Sequence, residues 1–199
     1  MSLHFNPETE YILEDDRVLL RPLAKTDLEI LLPYAISEPD TWKYSAVSAK
    51  GVNGMTDYIN VALDARITGI EYPFIVFDKK DGTFAGSTRF YDIQPGNQTL
   101  QLGYTWYGKK YRGTGLNKHC KFLLLQFAFE TLGAERVEFR ADARNEKSIA
   151  AMKSIGCTVE GILRNNMALQ DGGRRSSIVL SILKSEWLNG VEKNLKTLL

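Results

Sequence analysis

The amino-acid sequence predicts an α/β fold, in which a mixed β-sheet is flanked by helices. Three strand-like segments, over residues 73–77, 83–93 and 99–106, are separated by short turns and indicate an antiparallel meander. A long helical pattern and a further strand follow the meander, so at least one crossover must connect neighbouring strands. Two helical segments precede the meander, and this order of elements is typical of a sheet flanked by helices.

The segment before the meander begins with a strand over residues 17–22, which ends at Pro22. Thr26 followed by Glu29 has the spacing of a capping box and predicts the start of a short helix. Pro33 is expected to bend or end that helix early, because proline lacks the N–H group that a helix interior needs.

Apolar spacing and glycine positions define the other elements. Gly133 and Gly156 stand where helix stops are expected, because glycine readily adopts the left-handed conformation that ends a helix. The remaining predicted elements are an irregular stretch over 42–54, a helix over 58–67, a helix over 116–132, a strand over 137–141, a helix over 145–155, a hairpin of 158–169 and 174–183 across Asp171-Gly172-Gly173, and a C-terminal helix over 185–199 whose apolar face covers the core.

Composition limits the possible classes of function. The chain of 199 residues suits one domain, which we assign to residues 1–199 with a core at about 15–185. Its net charge of +1 gives no field that would recruit nucleic acid. No apolar stretch approaches the roughly 20 residues of a membrane-spanning helix, and the N-terminus lacks the pattern of a signal peptide. We therefore expect a cytoplasmic protein that binds neither membranes nor nucleic acid directly.

The two cysteines, Cys120 and Cys157, lie in apolar surroundings without metal-ligand spacing. Buried free thiols in a reducing compartment are the simplest interpretation. His4 and His119 also have no partner at ligand spacing, so we interpret both as structural or exposed. The sequence therefore predicts no metal site.

An uneven distribution of charge marks one loop. No acidic residue occurs between Asp92 and Glu130, whereas this window contains the cations Lys109, Lys110, Arg112, Lys118 and Lys121. The cations surround Gly113-Thr114-Gly115, between a predicted strand and the start of a long helix. Free N–H groups at a helix N-terminus, with glycines that allow close approach, form an anion site. The alternative is a glycine turn beside a solvated basic face.

Two common nucleotide motifs do not fit this loop. A P-loop requires Gly-Lys followed by Ser or Thr, but Gly115 is followed by Leu116. A dinucleotide fingerprint requires a third glycine where Lys118 stands. The loop instead resembles the acetyl-CoA loop of the GNAT superfamily of N-acetyltransferases, whose pattern is Gln or Arg, two residues, Gly, one residue, then Gly or Ala. Here the pattern falls on Lys110, Gly113 and Gly115, with lysine in the first position.

The flanking sequence resembles one branch of that superfamily, the ribosomal-protein-alanine N-acetyltransferases. The resemblance covers roughly residues 15 to 185. It is carried by Leu19-Leu20-Arg21-Pro22 and Asp27, by Leu102-Gly103-Tyr104-Thr105-Trp106 before the loop, and by Asn145-Glu146-Lys147-Ser148, Gly156 and Glu160-Gly161 after it.

The resemblance implies the acyl-CoA N-acyltransferase fold, a three-layer α-β-α arrangement whose mixed, mostly antiparallel sheet is splayed in the middle. The cosubstrate acetyl-CoA would lie between the splayed strands 99–106 and 137–141. Its implied contacts are the backbone of Thr105, Trp106 and Tyr107 along pantetheine, the N–H groups of Arg112, Gly113, Thr114, Gly115 and Asn117 around the pyrophosphate, the charges of Lys109, Lys110 and Lys118, and the side chain of Asn145.

Two polar residues at the start of the helix over 145–155 have alternative roles. Asn145 is a favoured helix N-cap, whereas the resemblance implies a hydrogen bond from its side chain to pantetheine. Ser148 lies one turn further along the same face. It is either a solvated helix serine or the general acid that protonates the departing CoA thiolate.

The general base is left unassigned by the sequence. An alkylamine is mostly protonated at pH 7 and must lose a proton before it attacks a thioester. Many relatives carry a glutamate on the first splayed strand, but the corresponding residue here is Gln101, which cannot act as a base. Glu138 on the second strand is an available carboxylate. A peptide α-amine has a lower pKa, near about 8, and needs a weaker base.

The resemblance therefore implies an acetyl-CoA-dependent N-acetyltransferase. Its favoured acceptor is a protein N-terminal α-amine, on a ribosomal or another protein. The alternatives are acetylation of a small-molecule amine and a CoA-binding regulatory module without catalysis. Either a monomer or a homodimer is compatible with the sequence.

Overall fold

A computed structural model describes residues 2–45, 47–169 and 172–199. Its centre is an eight-stranded sheet with the order β1-β2-β3-β4-β5-β6-β8-β7. Neighbouring strands are antiparallel except β5 and β6, which are parallel, so the prediction of a mixed, mostly antiparallel sheet is confirmed. The strands are β1 (Leu13–Glu14), β2 (Val18–Pro22), β3 (Tyr72–Asp78), β4 (Thr83–Gln94), β5 (Thr99–Tyr107), β6 (Arg136–Asp142), β7 (Thr158–Ala168) and β8 (Arg174–Leu183).

Helices cover both faces of the sheet and produce the expected three layers. One apolar cluster joins the first two helices to the side chains of Ile75 and Trp106. A second cluster joins the third helix and the C-terminal segment to the opposite face of the sheet. The helices are α1 (Leu28–Ser37), α2 (Gly51–Ile67), α3 (Leu116–Gln126), which continues as a π-helical turn over Phe127–Thr131, α4 (Glu146–Ser154), α5 (Lys184–Glu186) and α6 (Glu192–Lys196).

The parallel strands β5 and β6 pair over three residues only and then separate. The paired residues are Thr99–Gln101 and Arg136–Glu138. Beyond them, β5 continues to Tyr107 against β4, and β6 continues to Asp142 against β8. Register shifts in β4 and a left-handed backbone at Tyr104, with φ of 49°, contribute to this irregularity. The splayed middle of the sheet is thus present, and it leaves one edge of β5 unpaired.

Helix ends follow the predicted glycines. Gly133 and Gly156 have φ of 79° and 95°, in the left-handed region that favours glycine. Asn145 caps α4, because its Oδ1 accepts a hydrogen bond from the Ser148 backbone N–H at 3.2 Å. The hairpin of β7 and β8 is present, although Asp171 of its predicted turn lies outside the described residues.

Four predictions about helices differ in detail from the structure. The Thr26–Glu29 capping box does not form; a 3₁₀ turn precedes α1, and the Asp27 carboxylate accepts the Ala24 N–H at 2.8 Å. The same carboxylate pairs with Arg21 at 2.6 Å, so Asp27 and not Thr26 fixes the chain before α1. Helix α2 begins at Gly51, inside the stretch predicted to be irregular.

Pro33 does not end α1, which continues to Ser37. Proline removes a single intrahelical hydrogen bond, and burial of Leu31 and Ala35 against the core favours the continued helix. The C-terminal helix is interrupted at Gly190, with φ of 148°. Its apolar face still covers the core, as predicted: Trp187 and Leu195 are buried and Val191 packs against the same cluster, whereas Leu188 and Leu198 are exposed.

Within the described residues, no helix is both long enough and apolar enough to cross a membrane.

Candidate active site

A cleft of about 1200 Å³ opens where β5 and β6 separate. Its walls come from the C-terminal half of β5, the following glycine loop, the start of α3 and α4. The segment over residues 40–45 and side chains of β8 close the other side. Of the residues predicted for the site, the cleft is lined by Thr105, Trp106, Tyr107, Arg112, Gly113, Gly115, Asn117, Asn145 and Ser148.

The glycine loop presents free backbone donors to this cleft. Gly113 and Gly115 have φ of 76° and 90°, a conformation that L-residues rarely adopt. Among the residues that the structure describes, none accepts a hydrogen bond from the N–H groups of residues 113 to 117. The first donor of the new helix is Lys118, which bonds to the Gly115 carbonyl at 2.8 Å. Five consecutive unpaired donors at a helix N-terminus form an anion site.

Other predicted loop residues have structural contacts. The N–H of Arg112 bonds to the Lys109 carbonyl at 3.2 Å, so it is not free for an anion. The guanidinium of Arg112 bonds to the carbonyl of Tyr107 and the hydroxyl of Thr41. The Thr114 hydroxyl donates to the Tyr111 carbonyl at 2.7 Å, and it does not line the cleft.

The three lysines predicted to supply positive charge are placed differently. Lys110 is exposed, forms an ion pair with Asp81 at 3.3 Å and does not line the cleft. Lys109 is also exposed and lies outside the cleft, and its backbone N–H bonds to Glu38. Lys118 lines the cleft on the first turn of α3.

Strand β5 turns its side chains to the two layers in alternation. Trp106 packs against Tyr34 and Trp42, in the layer of α1 and α2. Tyr107 is buried on the α3 side, where its hydroxyl donates to Asn117 Oδ1 at 3.2 Å. The Asn117 side chain is therefore held against β5.

A buried lysine that sequence reasoning did not single out lines the same cleft. Lys121 is 5% exposed, and its Nζ donates to the Thr105 hydroxyl at 2.8 Å. Among the described residues, no carboxylate lies within ion-pair distance of this ammonium. Burial lowers the pKa of Lys121 to about 8, although the neighbouring Cys120 and Cys157 oppose this shift. The sequence signal that could have identified Lys121 is its position next to Cys120, on the apolar face of the predicted helix.

Asn145 and Ser148 are both half-buried on the cleft wall. Asn145 uses its oxygen as the cap of α4, which leaves its NH₂ group for another partner. Its two predicted roles are thus compatible, because they use different atoms. The Ser148 hydroxyl has no hydrogen-bond partner within the described part of the chain.

Gln101 lies at the point where the strands separate and is held by Asp92. Its Nε2 donates to Asp92 Oδ2 at 2.7 Å, and a carboxylate acceptor determines which end of the amide is nitrogen. Its Oε1 is buried without a partner in the described residues. Both residues line the cleft. Glu138, the alternative carboxylate, pairs with Arg136 and Arg140 and does not line it.

Aromatic residues line the part of the cleft nearest α2. Tyr91 and Tyr104 pack edge to face, with ring centroids 5.0 Å apart. The Arg89 guanidinium lies 4.2 Å from the Tyr104 ring and pairs with Glu71 at 2.6 Å. Burial raises the pKa of both Tyr91 and Tyr104, so their hydroxyls are neutral donors at pH 7. Trp42 and Tyr44 also line the cleft, whereas Tyr72 and Phe74 belong to the core.

The two thiols are buried and His4 is exposed, as predicted, and His119 has a structural contact. Burial raises the pKa of Cys120 and of Cys157 to about 12, so both thiols stay protonated and unreactive at neutral pH. His119 Nδ1 lies 2.7 Å from Asp15 Oδ2 and joins α3 to the turn before β2. Ligand atoms of Asp15, Asp16 and His119 lie within 4.8 Å of one another, away from the cleft. Asp15 also accepts backbone N–H groups of that turn, which accounts for its position.

Comparison with known proteins identifies the family. The model of the acetyltransferase (GNAT) domain matches residues 17–158. The chain therefore belongs to the GNAT acetyltransferases, which use acetyl-CoA, and it is an acyltransferase enzyme. This confirms the resemblance found in the sequence.

Relatives and solved structures agree with this assignment. The chain is 26% identical to the "Uncharacterized N-acetyltransferase p20" of Bacillus licheniformis over 88% of its length and 97% of that protein. It is 31% identical to the "Putative ribosomal N-acetyltransferase YdaF" of Bacillus subtilis strain 168, over 62% of this chain and 64% of the relative. A GCN5-related N-acetyltransferase from Brucella melitensis has the same fold, with a TM-score of 0.88 and 22% identity over 99% of this chain and 88% of its own.

Proposed function

We propose that this protein transfers the acetyl group of acetyl-CoA to an amine, and that the favoured acceptor is the N-terminal α-amine of a protein. The observation that carries the proposal is the row of unpaired N–H groups over residues 113–117, of which Gly113, Gly115 and Asn117 line the cleft. The similarity to a relative named as a ribosomal N-acetyltransferase supports a protein acceptor.

The donor is held by backbone groups on the α3 side of the cleft. The unpaired N–H groups of the glycine loop bind the pyrophosphate, and the open edge of β5 pairs with the pantetheine amides as an added strand would. Lys118 and the Asn145 NH₂ group lie on the same cleft and add polar contacts. Lys110 pairs with Asp81 outside the cleft, so we leave it out of the proposed donor site.

Gln101 and Asp92 activate the acceptor amine. Gln101 lies at the point where the strands separate, and its Nε2 hydrogen bond holds the Asp92 carboxylate at the cleft. The exposed Asp92 carboxylate takes the proton from the amine through water. A weak carboxylate base suffices for an α-amine, because a substantial fraction of such an amine is already neutral near its pKa of about 8.

The oxyanion of the tetrahedral intermediate and the departing thiolate both form between the splayed strands. A backbone N–H on the open edge of β5 stabilises the oxyanion, where a fixed donor needs no reorganisation. The Ser148 hydroxyl, which has no partner in the described chain, donates a proton to the departing thiolate.

A titration with acetyl-CoA tests the donor half of the proposal. Acetyl-CoA should raise the melting temperature, because a ligand that binds only the folded state stabilises it. Addition of an amine should then release CoA, which a thiol reagent detects. A melting temperature that does not change at millimolar acetyl-CoA would contradict the proposal.

A further inference from the structure

A buried arginine on β8 lines the cleft without a carboxylate partner. Arg175 is 7% exposed. Its Nε donates to the Ser177 hydroxyl at 3.1 Å, and its Nη1 donates to the Tyr44 carbonyl at 3.4 Å. The second terminal nitrogen, Nη2, has no acceptor among the described residues. Neutral oxygens therefore satisfy only part of this guanidinium.

The other buried arginine of this region, Arg89, has the carboxylate partner that Arg175 lacks in the described part of the chain. Arg89 is 2% exposed and has the Glu71 carboxylate at 2.6 Å. No described carboxylate lies within 4.0 Å of Arg175. Asp142, the acidic residue beside it, is held by two hydrogen bonds from the Arg144 side chain. Asp142 acts on Arg175 through charge without bonding to it, so the buried guanidinium keeps an N–H donor for an anionic partner.

Arg175 lies on the acceptor side of the cleft. Tyr44 belongs to the segment between α1 and α2, on the sheet face opposite α3. Burial lowers the pKa of Arg175, and the nearby Asp142, Tyr91 and Tyr104 oppose that shift. The glycine loop leads into α3 in the other layer, where the donor phosphates have their own N–H groups. Arg175 is thus placed to meet the acceptor.

We propose that Arg175 binds a carboxylate of the acceptor, so that the enzyme prefers amines that carry an acidic group. This inference rests on the proposed acetyl transfer. A guanidinium N–H donor matches a carboxylate oxygen in geometry and charge. The carboxylate belongs either to the side chain of one of the first residues of a peptide or to the α-carboxyl group of a free amino acid.

Matched acceptors distinguish these two sources. Two pairs are peptide amides: Ala-Asp-Ala-Ala with Ala-Asn-Ala-Ala, and Asp-Ala-Ala-Ala with Asn-Ala-Ala-Ala. The third pair is free alanine with alanine amide. With wild-type enzyme we expect kcat/KM for the acidic member of at least one pair to exceed that of its amide by about tenfold or more. The pair that shows the preference identifies the source.

Arg175→Met should abolish that preference by lowering the rate with the acidic acceptor to that of the amide. Arg175→Lys should retain part of it, because the charge remains and the planar fork is lost. Arg174→Met is the control: this neighbouring arginine is exposed and bonds to the Asn165 carbonyl, so the preference should not change. An unchanged thermal shift with acetyl-CoA shows that each variant retains its fold and donor site.

Equal rates within all pairs, or a preference that survives in Arg175→Met, would overturn the inference while leaving acetyl transfer intact. Absence of acetyl-CoA-dependent CoA release with every amine would instead refute the proposed function, and the inference with it.

Discussion

The ammonium of Lys121 lies 2.8 Å from the hydroxyl of Thr105, which lies 2.7 Å from the hydroxyl of Thr88. The contact between Lys121 and Thr105 joins α3 to the splayed part of β5, and Lys121 and Thr105 both line the cleft. No described carboxylate neutralises the charge. A desolvated cation in a cleft costs stability and is typical of a functional site rather than of a core.

Replacement of Lys121 by methionine should stabilise the protein at neutral pH. Burial lowers the pKa of Lys121 from 10.5 to about 8 in the folded state. Between these values the unfolded chain binds more protons, so wild-type stability rises with pH across this window. Lys121→Met should therefore be more stable at pH 7, by on the order of 3 kcal/mol, and the difference should shrink from pH 8 to 10.5.

Urea unfolding of both proteins at several pH values measures this difference. Lys118→Met is the matched control, because Lys118 is only half-buried on the same helix. Lower stability of Lys121→Met at pH 7 would show that the ammonium has a compensating partner.

Gly115→Val should abolish acetyl-CoA binding without unfolding the protein. The left-handed φ of Gly115 disfavours a β-branched residue, and its side chain would project into the anion site. A Cβ atom at this position meets no other atom within 4 Å, so packing is not disturbed. Isothermal titration calorimetry with acetyl-CoA measures the loss.

Gly51→Val is the control for backbone strain. Gly51 also has a positive φ, of 73°, and open space around it, but it does not line the cleft. Its variant should lose similar stability and still bind acetyl-CoA. Normal binding by Gly115→Val would mean that the phosphates lie elsewhere.

Ser148→Ala should lower kcat about ten- to a hundredfold and leave acetyl-CoA affinity nearly unchanged, because the proton moves only as the thiolate departs. Alanine has the better helix propensity, so the fold should be unaffected. Asn145→Ala is the structural comparison, because it removes the cap of α4. It should cost about 1 kcal/mol of stability. Unchanged kcat of Ser148→Ala in single-turnover experiments would exclude the serine as general acid.

Asp92→Asn should reduce kcat/KM most strongly at low pH, where the amine is largely protonated and a base is needed. The loss should diminish above the pKa of the acceptor amine, because the neutral amine then predominates. Pre-steady-state rates from pH 6 to 9 measure this dependence. Asp81→Asn, which alters the exposed partner of Lys110, is the control. An equal loss at all pH values would assign Asp92 a structural role.

The sequence predicts the fold well where the hydrophobic periodicity and the glycine or proline stop signals agree. The glycine loop, the long helix behind it and the stops at Gly133 and Gly156 depend on local conformation, which sequence records directly. The interruption at Gly190 and the continuation through Pro33 depend on tertiary packing, which outweighs local preference.

The site was predictable only in part for the same reason. Charge and glycine spacing locate the anion loop, because its residues are consecutive. Asp92, which accepts a hydrogen bond from Gln101, has a left-handed backbone with φ of 47°, and no sequence pattern signals that conformation. Arg175 comes from a strand far along the chain, and pairing with β6 and β7 brings it to the cleft.

The central claim, transfer of acetyl from acetyl-CoA to an N-terminal α-amine, is tested most directly by initial rates of CoA release with three acceptors. These are a lysine-containing peptide with a free N-terminus, the same peptide with its N-terminus acetylated, and the polyamine spermidine. We predict efficient turnover of the free peptide, with mass spectrometry locating the acetyl group on the α-nitrogen. Turnover of the blocked peptide or of spermidine, with none of the free α-amine, would contradict the account.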